Sequence, residues 1–326
     1  MAKRIRIYEH GGPEVLKLED YDVTQPGPGE ALIRNTAIGL NFIETYFRSG
    51  LYPPPGGLPC SLGTEAAGVV EAVGPGVTEV SVGQRVAHCS GPLGAYSDLR
   101  VMPAERLVPL PDAISNDVAA AIMLKGLTAW YLLRQTYVVK PGETILFHSA
   151  AGGVGLIACQ WARHLGVNVI GTAGGSEKMA LAKANGCAHV IDSHDPDISS
   201  KVRELTGGKG VPVVYDGVGK ATFTASLDSL QPRGLLVSYG NASGAVEAFN
   251  LGILSAKGSL YVTRPTLFTY TATREQLLAG SKELFDVVAS GAVKIQINQR
   301  FKLSDVADAH RALQGRATTG STLLIP

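Results

Sequence analysis

Glu143-Thr144-Ile145-Leu146-Phe147-His148 runs into Ser149-Ala150-Ala151-Gly152-Gly153-Val154-Gly155 and then into Leu156-Ile157-Ala158-Cys159-Gln160-Trp161-Ala162. A short apolar run, a turn of small residues and an apolar run of helical length read as strand, glycine turn and helix. The first N–H groups of such a helix lack intrahelical acceptors and lie at the positive end of its dipole, so they attract an anion. The turn is the dinucleotide fingerprint with its first glycine changed to Ala150. Gly152 permits close approach of backbone to a pyrophosphate, and Gly155 permits close packing of helix on strand. Alone, such a motif is equally an ordinary tight turn. The strand before it, the helix after it and a second strand over residues 167–171 select the nucleotide reading.

The residues after that second strand bear on the cofactor. NAD-preferring folds place Asp or Glu there to hold the ribose 2′-hydroxyl. Here Thr172-Ala173-Gly174-Gly175-Ser176 supplies no acid, and Lys178 follows in the first turn of the next helix. A carboxylate repels a 2′-phosphate, whereas hydroxyls, unpaired N–H groups and a lysine attract one. NADP(H) is therefore the expected cofactor, with Lys178 otherwise an ordinary solvated helix lysine.

A length of 326 residues accommodates about two domains. A net charge of +1 provides no global field for nucleic acid or anionic membrane. Four cysteines, Cys60, Cys89, Cys159 and Cys187, lie far apart and form no CxxC pair, which argues against both a disulfide frame and a thiolate zinc cluster and suits a reducing compartment. The chain opens directly on strand-like alternation at Arg4-Ile5-Arg6-Ile7, and no apolar run approaches membrane-spanning length. A cytoplasmic location is the expectation.

From the start, short strands at 4–8, 16–21 and 30–37 are separated by Gly11-Gly12-Pro13 and Pro26-Gly27-Pro28-Gly29, followed by strands at 68–73, 85–89 and 96–101. This is the spacing of a compact all-β unit. Near Asp117 the texture changes to helices at 118–124 and 128–133, with a domain boundary expected near Leu124. After the fingerprint, Ser176 is expected to cap a helix ending at Gly186. A strand at 189–192, a helix at 198–206 and strands at 211–216, 234–238 and 259–263 then complete about six strands of a doubly wound sheet. The tail reads as a long helix from 266 to 290, a strand at 295–301, a helix at 304–314 and a closing strand at 321–325, returning to the first domain. The expected organisation is α/β with a β-rich second domain: residues 1–124, completed by 267–326, around a nucleotide-binding domain at 125–266.

Gly11-Gly12-Pro13-Glu14-Val15-Leu16, Asn41-Phe42-Ile43-Glu44-Thr45-Tyr46, Gly63-Thr64-Glu65-Ala66-Ala67-Gly68 and residues 150–155 together resemble the quinone oxidoreductases of the medium-chain dehydrogenase/reductase superfamily. The similarity spans the chain. It is strongest to the bacterial NADPH-dependent, zeta-crystallin-like members, with Leu51-Tyr52-Pro53-Pro54-Pro55, Thr263-Arg264-Pro265 and Arg316-Ala317-Thr318. The resemblance implies a GroES-like barrel, a Rossmann doubly wound parallel sheet and a cofactor in the cleft.

Carried over residue by residue, the resemblance puts Asn41, Phe42, Tyr46 and Thr128 near the nicotinamide, Tyr46 and Tyr52 beside the acceptor, and Ala151, Gly152, Gly153 and Val154 at the pyrophosphate. Gly174, Gly175, Ser176 and Lys178 fall at the 2′-phosphate, and Gly240, Asn241, Thr263, Arg264, Pro265 and Arg316 match the remaining contacts. One departure is Asp192-Ser193-His194, where Ser193 replaces an adenine-side tyrosine, so stacking is lost unless His194 compensates. On the residues alone, Asn41 also reads as a turn-closing residue, Tyr46 and Tyr52 as packing aromatics, His148 as a hydrogen-bonded core histidine and Glu65 as a partner within the barrel. Zinc alcohol dehydrogenases of the superfamily carry cysteine at the position of Asn41, histidine at that of Thr64, and a four-cysteine lobe in the region 89–102. The expectation is therefore no metal. The implied activity is quinone reduction by NADPH. Reduction of an enone double bond, or an NADPH-gated RNA-binding role with little turnover, are the alternatives. A homodimer is expected through an open edge strand at 259–263.

Overall fold

The computed structural model describes all 326 residues, which divide into two compact units. One comprises Met1–Leu127, Thr271–Ala289 and Ile295–Pro326, the other Thr128–Tyr270 and Ser290–Lys294.

The first unit begins with β1 (Ala2–Ile7), β2 (Lys17–Tyr21), β3 (Glu30–Leu40), α1 (Phe42–Ser49), β4 (Cys60–Ser61), β5 (Glu65–Val73), β6 (Arg85–His88), β7 (Leu99–Pro103), β8 (Val108–Pro109) and the start of α2 (Asn116–Tyr131). In β1, Ile5 and Ile7 point inward while Lys3 is exposed, the period-2 pattern of a strand with one wet face. The β1 strand lies between β2 and β4, while β3 forms the spine of the larger sheet, pairing with β5 and β7. Ile5, Ile7, Ile38, Leu40, Leu62, Tyr96 and Leu324 make one core, and Ile33, Val70, Val86, Met102 and Leu107 another. Burying each such side chain is worth about 1.5–3 kcal/mol.

The second unit contains β9 (Thr144–Phe147), α3 (Gly153–His164), β10 (Asn168–Ala173), α4 (Ser176–Ala184), β11 (Cys187–Asp192), α5 (Ile198–Leu205), β12 (Val211–Asp216), α6 (Phe223–Ser229), β13 (Leu230–Ser238), α7 (Gly252–Ala256), β14 (Tyr261–Thr263) and α8 (Leu267–Tyr270). Its six parallel strands run in the order β11-β10-β9-β12-β13-β14. Ile145, Leu146 and Phe147 in β9, and Val213, Val214 and Tyr215 in β12, are all buried, as expected of strands covered by helices on both faces. The strand order reverses between β9 and β12, the switch point at which ligands bind in doubly wound sheets.

The tail, α9 (Arg274–Ala289), β15 (Ile297–Lys302), α10 (Val306–Gln314) and β16 (Ser321–Ile325), belongs to the first unit apart from the short 290–294 stretch. Strand β16 pairs antiparallel with β3, setting Thr322 opposite Leu40 and Leu323 opposite Gly39.

Three sequence expectations differ from the structure. The two helices expected at 118–124 and 128–133 are one, α2, which continues as a π-helical turn over Leu132–Thr136. Gly126 does not break it: a Cβ there would lie 2.5 Å from Leu284 Cδ1, so this glycine makes room for α9. The long helix expected from 266 to 290 is interrupted between α8 and α9. Ser176 is the first residue of α4 rather than its cap. Gly175 (φ 81°, ψ 155°) takes the capping position, in a backbone region open to glycine.

Candidate functional site

The N-terminus of α3 is built by three close approaches. Ala150 N–H donates to the Thr172 carbonyl at 2.9 Å and Gly152 N–H to the Ser149 carbonyl at 2.9 Å, which folds the turn back against β10. Ser149 adopts a left-handed φ of 57°, rare outside glycine. A Cβ on Gly155 would lie 2.4 Å from the Ser149 carbonyl oxygen, so only glycine lets the helix start this close to the strand. The first intrahelical bond runs from Leu156 N–H to the Gly152 carbonyl (2.9 Å), and no side chain caps the helix. The N–H groups of Gly153, Val154 and Gly155 therefore have no intrahelical acceptor and face the end of β9, the geometry of a phosphate cradle.

A second helix N-terminus lies beyond the adjacent strand. Strand β10 ends at the buried Ala173, and α4 starts after Gly175, again without a side-chain cap. Its first helical bond is from Met179 N–H to the Gly175 carbonyl (3.0 Å), leaving the first-turn N–H groups of Ser176 and Glu177 without intrahelical acceptors. Lys178 is half-buried in this turn. Ser193 follows β11 and is exposed; beside it His194 donates its backbone N–H to Asp192 Oδ1 at 3.0 Å and sets its Nδ1 3.0 Å from the same oxygen, and these contacts, the backbone bond first, hold the Asp192 carboxyl below its usual range. His194 is thus engaged by a carboxylate of its own loop.

Gly240 and Asn241 follow β13, and Thr263, Arg264 and Pro265 close β14. Arg264 Nη1 donates to the Ser238 (3.0 Å) and Gly240 (2.9 Å) carbonyls, tying these two ends together. Thr128 is half-buried on α2, and Tyr131, one turn on, stacks on Tyr270 with centroids 4.8 Å apart. All the second-unit residues expected to contact a nucleotide, Thr128 aside, thus gather at the C-terminal ends of β9, β10, β11, β13 and β14.

The C-terminal end of β12 is stitched by a network absent from the sequence reading. Asp216 accepts from the N–H groups of Val218 (2.8 Å) and Gly219 (3.0 Å) and the hydroxyls of Thr222 (2.7 Å) and Ser226 (2.8 Å). Ser226 reaches His148 Nε2 at 3.1 Å, and His148 Nδ1 reaches Thr172 Oγ1 at 3.0 Å. His148 is fully buried, and burial pushes its pKa down, so it is a neutral tie between β9, β10 and α6 rather than a base.

In the first unit, Asn41 caps α1 and Tyr46 lies on it. Tyr52 folds back so that its N–H donates to the Tyr46 carbonyl (3.1 Å) and the rings meet edge to face at 5.1 Å. Phe42, Tyr46 and Tyr52 are half-buried. Arg316, just beyond α10, is exposed with a left-handed φ of 57°. Helix α10 is bound to α1 by Arg48, whose Nη1 donates to His310 Nδ1 (3.0 Å) and Nη2 to Gln314 Oε1 (2.8 Å). Burial pushes His310 down to about 3, so it is neutral and can accept from Arg48.

Beneath Asn41 lie residues to which the sequence reading assigned no site role. Glu44 accepts from Asn41 N–H (2.8 Å) and Thr64 N–H (3.1 Å) and contacts the Thr64 hydroxyl (2.5 Å). Glu65 accepts from Asn41 Nδ2 (2.8 Å) and Leu124 N–H (2.6 Å) and pairs with Lys125 at 3.6 Å. Gly39 leaves the space Glu65 occupies, since a Cβ there would fall 2.2 Å from Glu65 Oε2. The Asn-x-x-Glu spacing at 41–44 is a local capping signal, while the meeting of Glu65 with Lys125 has no local signature. The Asn41 amide nitrogen and the Thr64 hydroxyl thus go to carboxyl groups, and no group of three or more His, Cys, Asp or Glu side chains is arranged to hold a metal ion.

Comparison with known proteins matches residues 27–112 to the alcohol dehydrogenase GroES-like domain and residues 153–279 to the zinc-binding dehydrogenase family. A quinone oxidoreductase of Pseudomonas aeruginosa is 60% identical over 326 residues, covering all of both chains. The chain belongs to the quinone oxidoreductase family. The crystal structure of the Escherichia coli quinone oxidoreductase complexed with NADPH shares 53% identity and a TM-score of 0.97 over 99% of this chain and all of that one. A 2-haloacrylate reductase from a Burkholderia species is 48% identical over 98% of each chain. The family reading and the combination of a GroES-like domain with a Rossmann sheet agree with the expectations from sequence.

Proposed function

We infer that the chain is a zinc-independent NADPH:quinone oxidoreductase. The observation that carries this is the pair of uncapped helix N-termini at the ends of the adjacent strands β9 and β10, with Ala173 where an NAD-selective fold has an acid. The 53–60% identity to quinone oxidoreductases over the full chain, one of them solved with NADPH, adds to it.

NADPH, when bound, supplies a hydride from nicotinamide C4. The N–H groups around Ala151, Gly152, Gly153 and Val154 hold the pyrophosphate, and Gly174, Gly175, Ser176 and Lys178 hold the 2′-phosphate. Ser193 borders the adenine without a stacking ring. Gly240, Asn241, Thr263, Arg264 and Pro265 border the carboxamide end with backbone groups, and Arg316 pairs a phosphate. Asn41, Phe42, Tyr46 and Thr128 line the nicotinamide end, and the Tyr46 and Tyr52 hydroxyls donate to the oxygen of the quinone as it gains charge. A quinone accepts electrons readily, so the protein's work is to place the rings and exclude water. No metal is needed: the two polar side chains at the superfamily's zinc positions are committed to Glu44 and Glu65.

Steady-state NADPH oxidation with 1,4-benzoquinone tests this reading. Tyr46→Phe and Tyr52→Phe should each lose less than the ~10²-fold typical of a strong oxyanion donor, and Tyr52→Ala should lose more than Tyr52→Phe. Abolition by Tyr46→Phe with NADPH affinity intact would reveal an obligatory acid and sink this mechanism. Turnover of halogenated acrylates or enones in preference to quinones would favour double-bond reduction, the reading supported by the Burkholderia relative.

Cofactor selectivity is expected to favour NADPH over NADH strongly. Lys178→Ala should narrow the preference by about tenfold or more, the worth of one charge-assisted hydrogen bond. Equal affinity of the parent for both nucleotides, measured by titration, would refute this placement of the adenosine end.

The edge strand β14 pairs only with β13, and Tyr261 on it is 61% exposed. An open edge of this kind supports pairing with a second copy about a two-fold axis. Sedimentation at micromolar concentration should return a dimer, and a monomer would count against it. No helix is long and apolar enough to cross a membrane, and all four cysteines are buried and unpaired, which supports a reducing compartment, the cytoplasm.

A further inference from the structure

Helix α1 starts on two buried carboxyl groups, with Asn41 clamped between them: its backbone N–H goes to Glu44 and its side-chain amide to Glu65, each at 2.8 Å. Both glutamates are fully buried. The cation in contact is Lys125, which pairs with Glu65 at 3.6 Å and donates to the Leu40 carbonyl at 3.1 Å. Two carboxyls and one ammonium in a dry site balance only if one carboxyl keeps a proton, because like charges are costly at low dielectric.

The hydrogen bonds assign that proton. Every partner of Glu65 is a donor: the Asn41 amide, the Leu124 N–H and the Lys125 ammonium. Its oxygens meet no acceptor, so Glu65 is the ionised member. Glu44 alone has a hydroxyl partner: Thr64 Oγ1 donates to Glu44 Oε1 at 2.5 Å, and, unlike any partner of Glu65, this hydroxyl can turn to accept a proton from the acid. The other ionisable groups nearby are compatible with this state. Burial keeps the Tyr96 phenol and the Cys89 thiol protonated and His88 neutral, and Arg48 donates to His310 on the far side of Tyr96.

Resting on the reading that puts Asn41 at the nicotinamide end, we propose that Glu44 is a positioning residue. It carries the single proton of the Glu44–Glu65–Lys125 cluster and, through Asn41 and Thr64, holds the start of α1 in its working arrangement only while it keeps that proton. Burial first, and then the charge of Glu65, raise Glu44 from 4.5 to about 7, so the proton leaves just above neutrality. A raised acid favours the folded state below its unfolded value, and that contribution fades as pH rises from 4.5 through about 7. Ionised, Glu44 repels Glu65 across Asn41, and Asn41 is the group that shifts.

Infrared difference spectroscopy on the full-length, nucleotide-free protein reads the proton directly. A carboxylic acid C=O band should be present in mildly acidic solution, vanish on passing above neutrality, and be missing from Glu44→Gln. The backbone amide resonance of Asn41 should titrate with the same midpoint in the parent and stay still in Glu44→Gln, whose neutral side chain stands in for the acid. In NADPH oxidation with 1,4-benzoquinone, the parent should lose about tenfold per pH unit above that midpoint, as expected for one required proton. The loss should fall in kcat more than in the KM for NADPH. Glu44→Gln should lack this limb and exceed Glu44→Ala by about tenfold at neutral pH, the order expected when a buried donor is left unpaired. The proposal is overturned by a parent without the band, by a band that survives in Glu44→Gln, by an Asn41 resonance that does not titrate, or by one pH profile for both proteins. A parent inert toward quinones at every pH overturns the quinone-reductase reading instead, and the band and the resonance still decide the proton.

Discussion

Gly155→Ala should cost the protein both its stability and its nucleotide. The added Cβ would sit 2.4 Å from the Ser149 carbonyl oxygen and 2.7 Å from Ala150 Cα, and these are backbone atoms that no rotamer change can move. Relief requires lifting α3 off β9 or breaking the bond from Ala150 to Thr172, an overpacking penalty of about 1–3 kcal/mol. Displacing the helix start also re-aims the N–H groups of Gly153 and Val154. At roughly 1.5–3 kcal/mol for each hydrogen bond to a charged group, loss of two lowers NADPH affinity by more than ~10²-fold. Gly152→Ala separates the two effects. Its Cβ would meet the Ser149 carbonyl oxygen at 3.1 Å, a contact that a small shift relieves, so stability should largely survive while binding still weakens. Fluorescence titration with NADPH beside urea unfolding reads both quantities. Tight binding by Gly155→Ala would disprove the phosphate cradle.

Asp216→Ala should be the most destabilising single change in the second unit. Its carboxylate satisfies two backbone N–H groups and two hydroxyls in a region shut off from water. Truncation strands those donors, and Ser226 also loses the partner that orients it toward His148. Each buried donor left without a partner costs about 1–3 kcal/mol, less whatever new water recovers, so a net loss of about 3–5 kcal/mol is expected. Asp216→Asn retains one acceptor oxygen and should fall between the two. A midpoint shift in urea worth less than about 1 kcal/mol for the alanine variant would mean that the network does not hold the end of β12.

The sequence by itself determined the parallel sheet and the phosphate-binding turn. Continuous apolar runs such as Ile145-Leu146-Phe147, small residues after them and a helical run beyond are local signals, and the unpaired N–H groups of a helix start depend on nothing remote. The absence of an acid after β10 was legible for the same reason, since a position in the chain is enough to know what charge is missing. Tertiary structure decided what depends on neighbours distant in sequence. Two helices were expected at 118–124 and 128–133 where one runs through, with Gly126 a notch for Leu284; Ser176 looked like a cap, but Gly175 takes the backbone angles that only a residue without Cβ adopts readily. Glu44, Glu65 and Lys125 are unremarkable charges on separate elements until α1, β5 and α2 bring them together around Asn41. Local periodicity specifies which face of an element is apolar, but not which buried charges meet behind it; that is set by packing, where desolvation makes the pairing of each charge matter most.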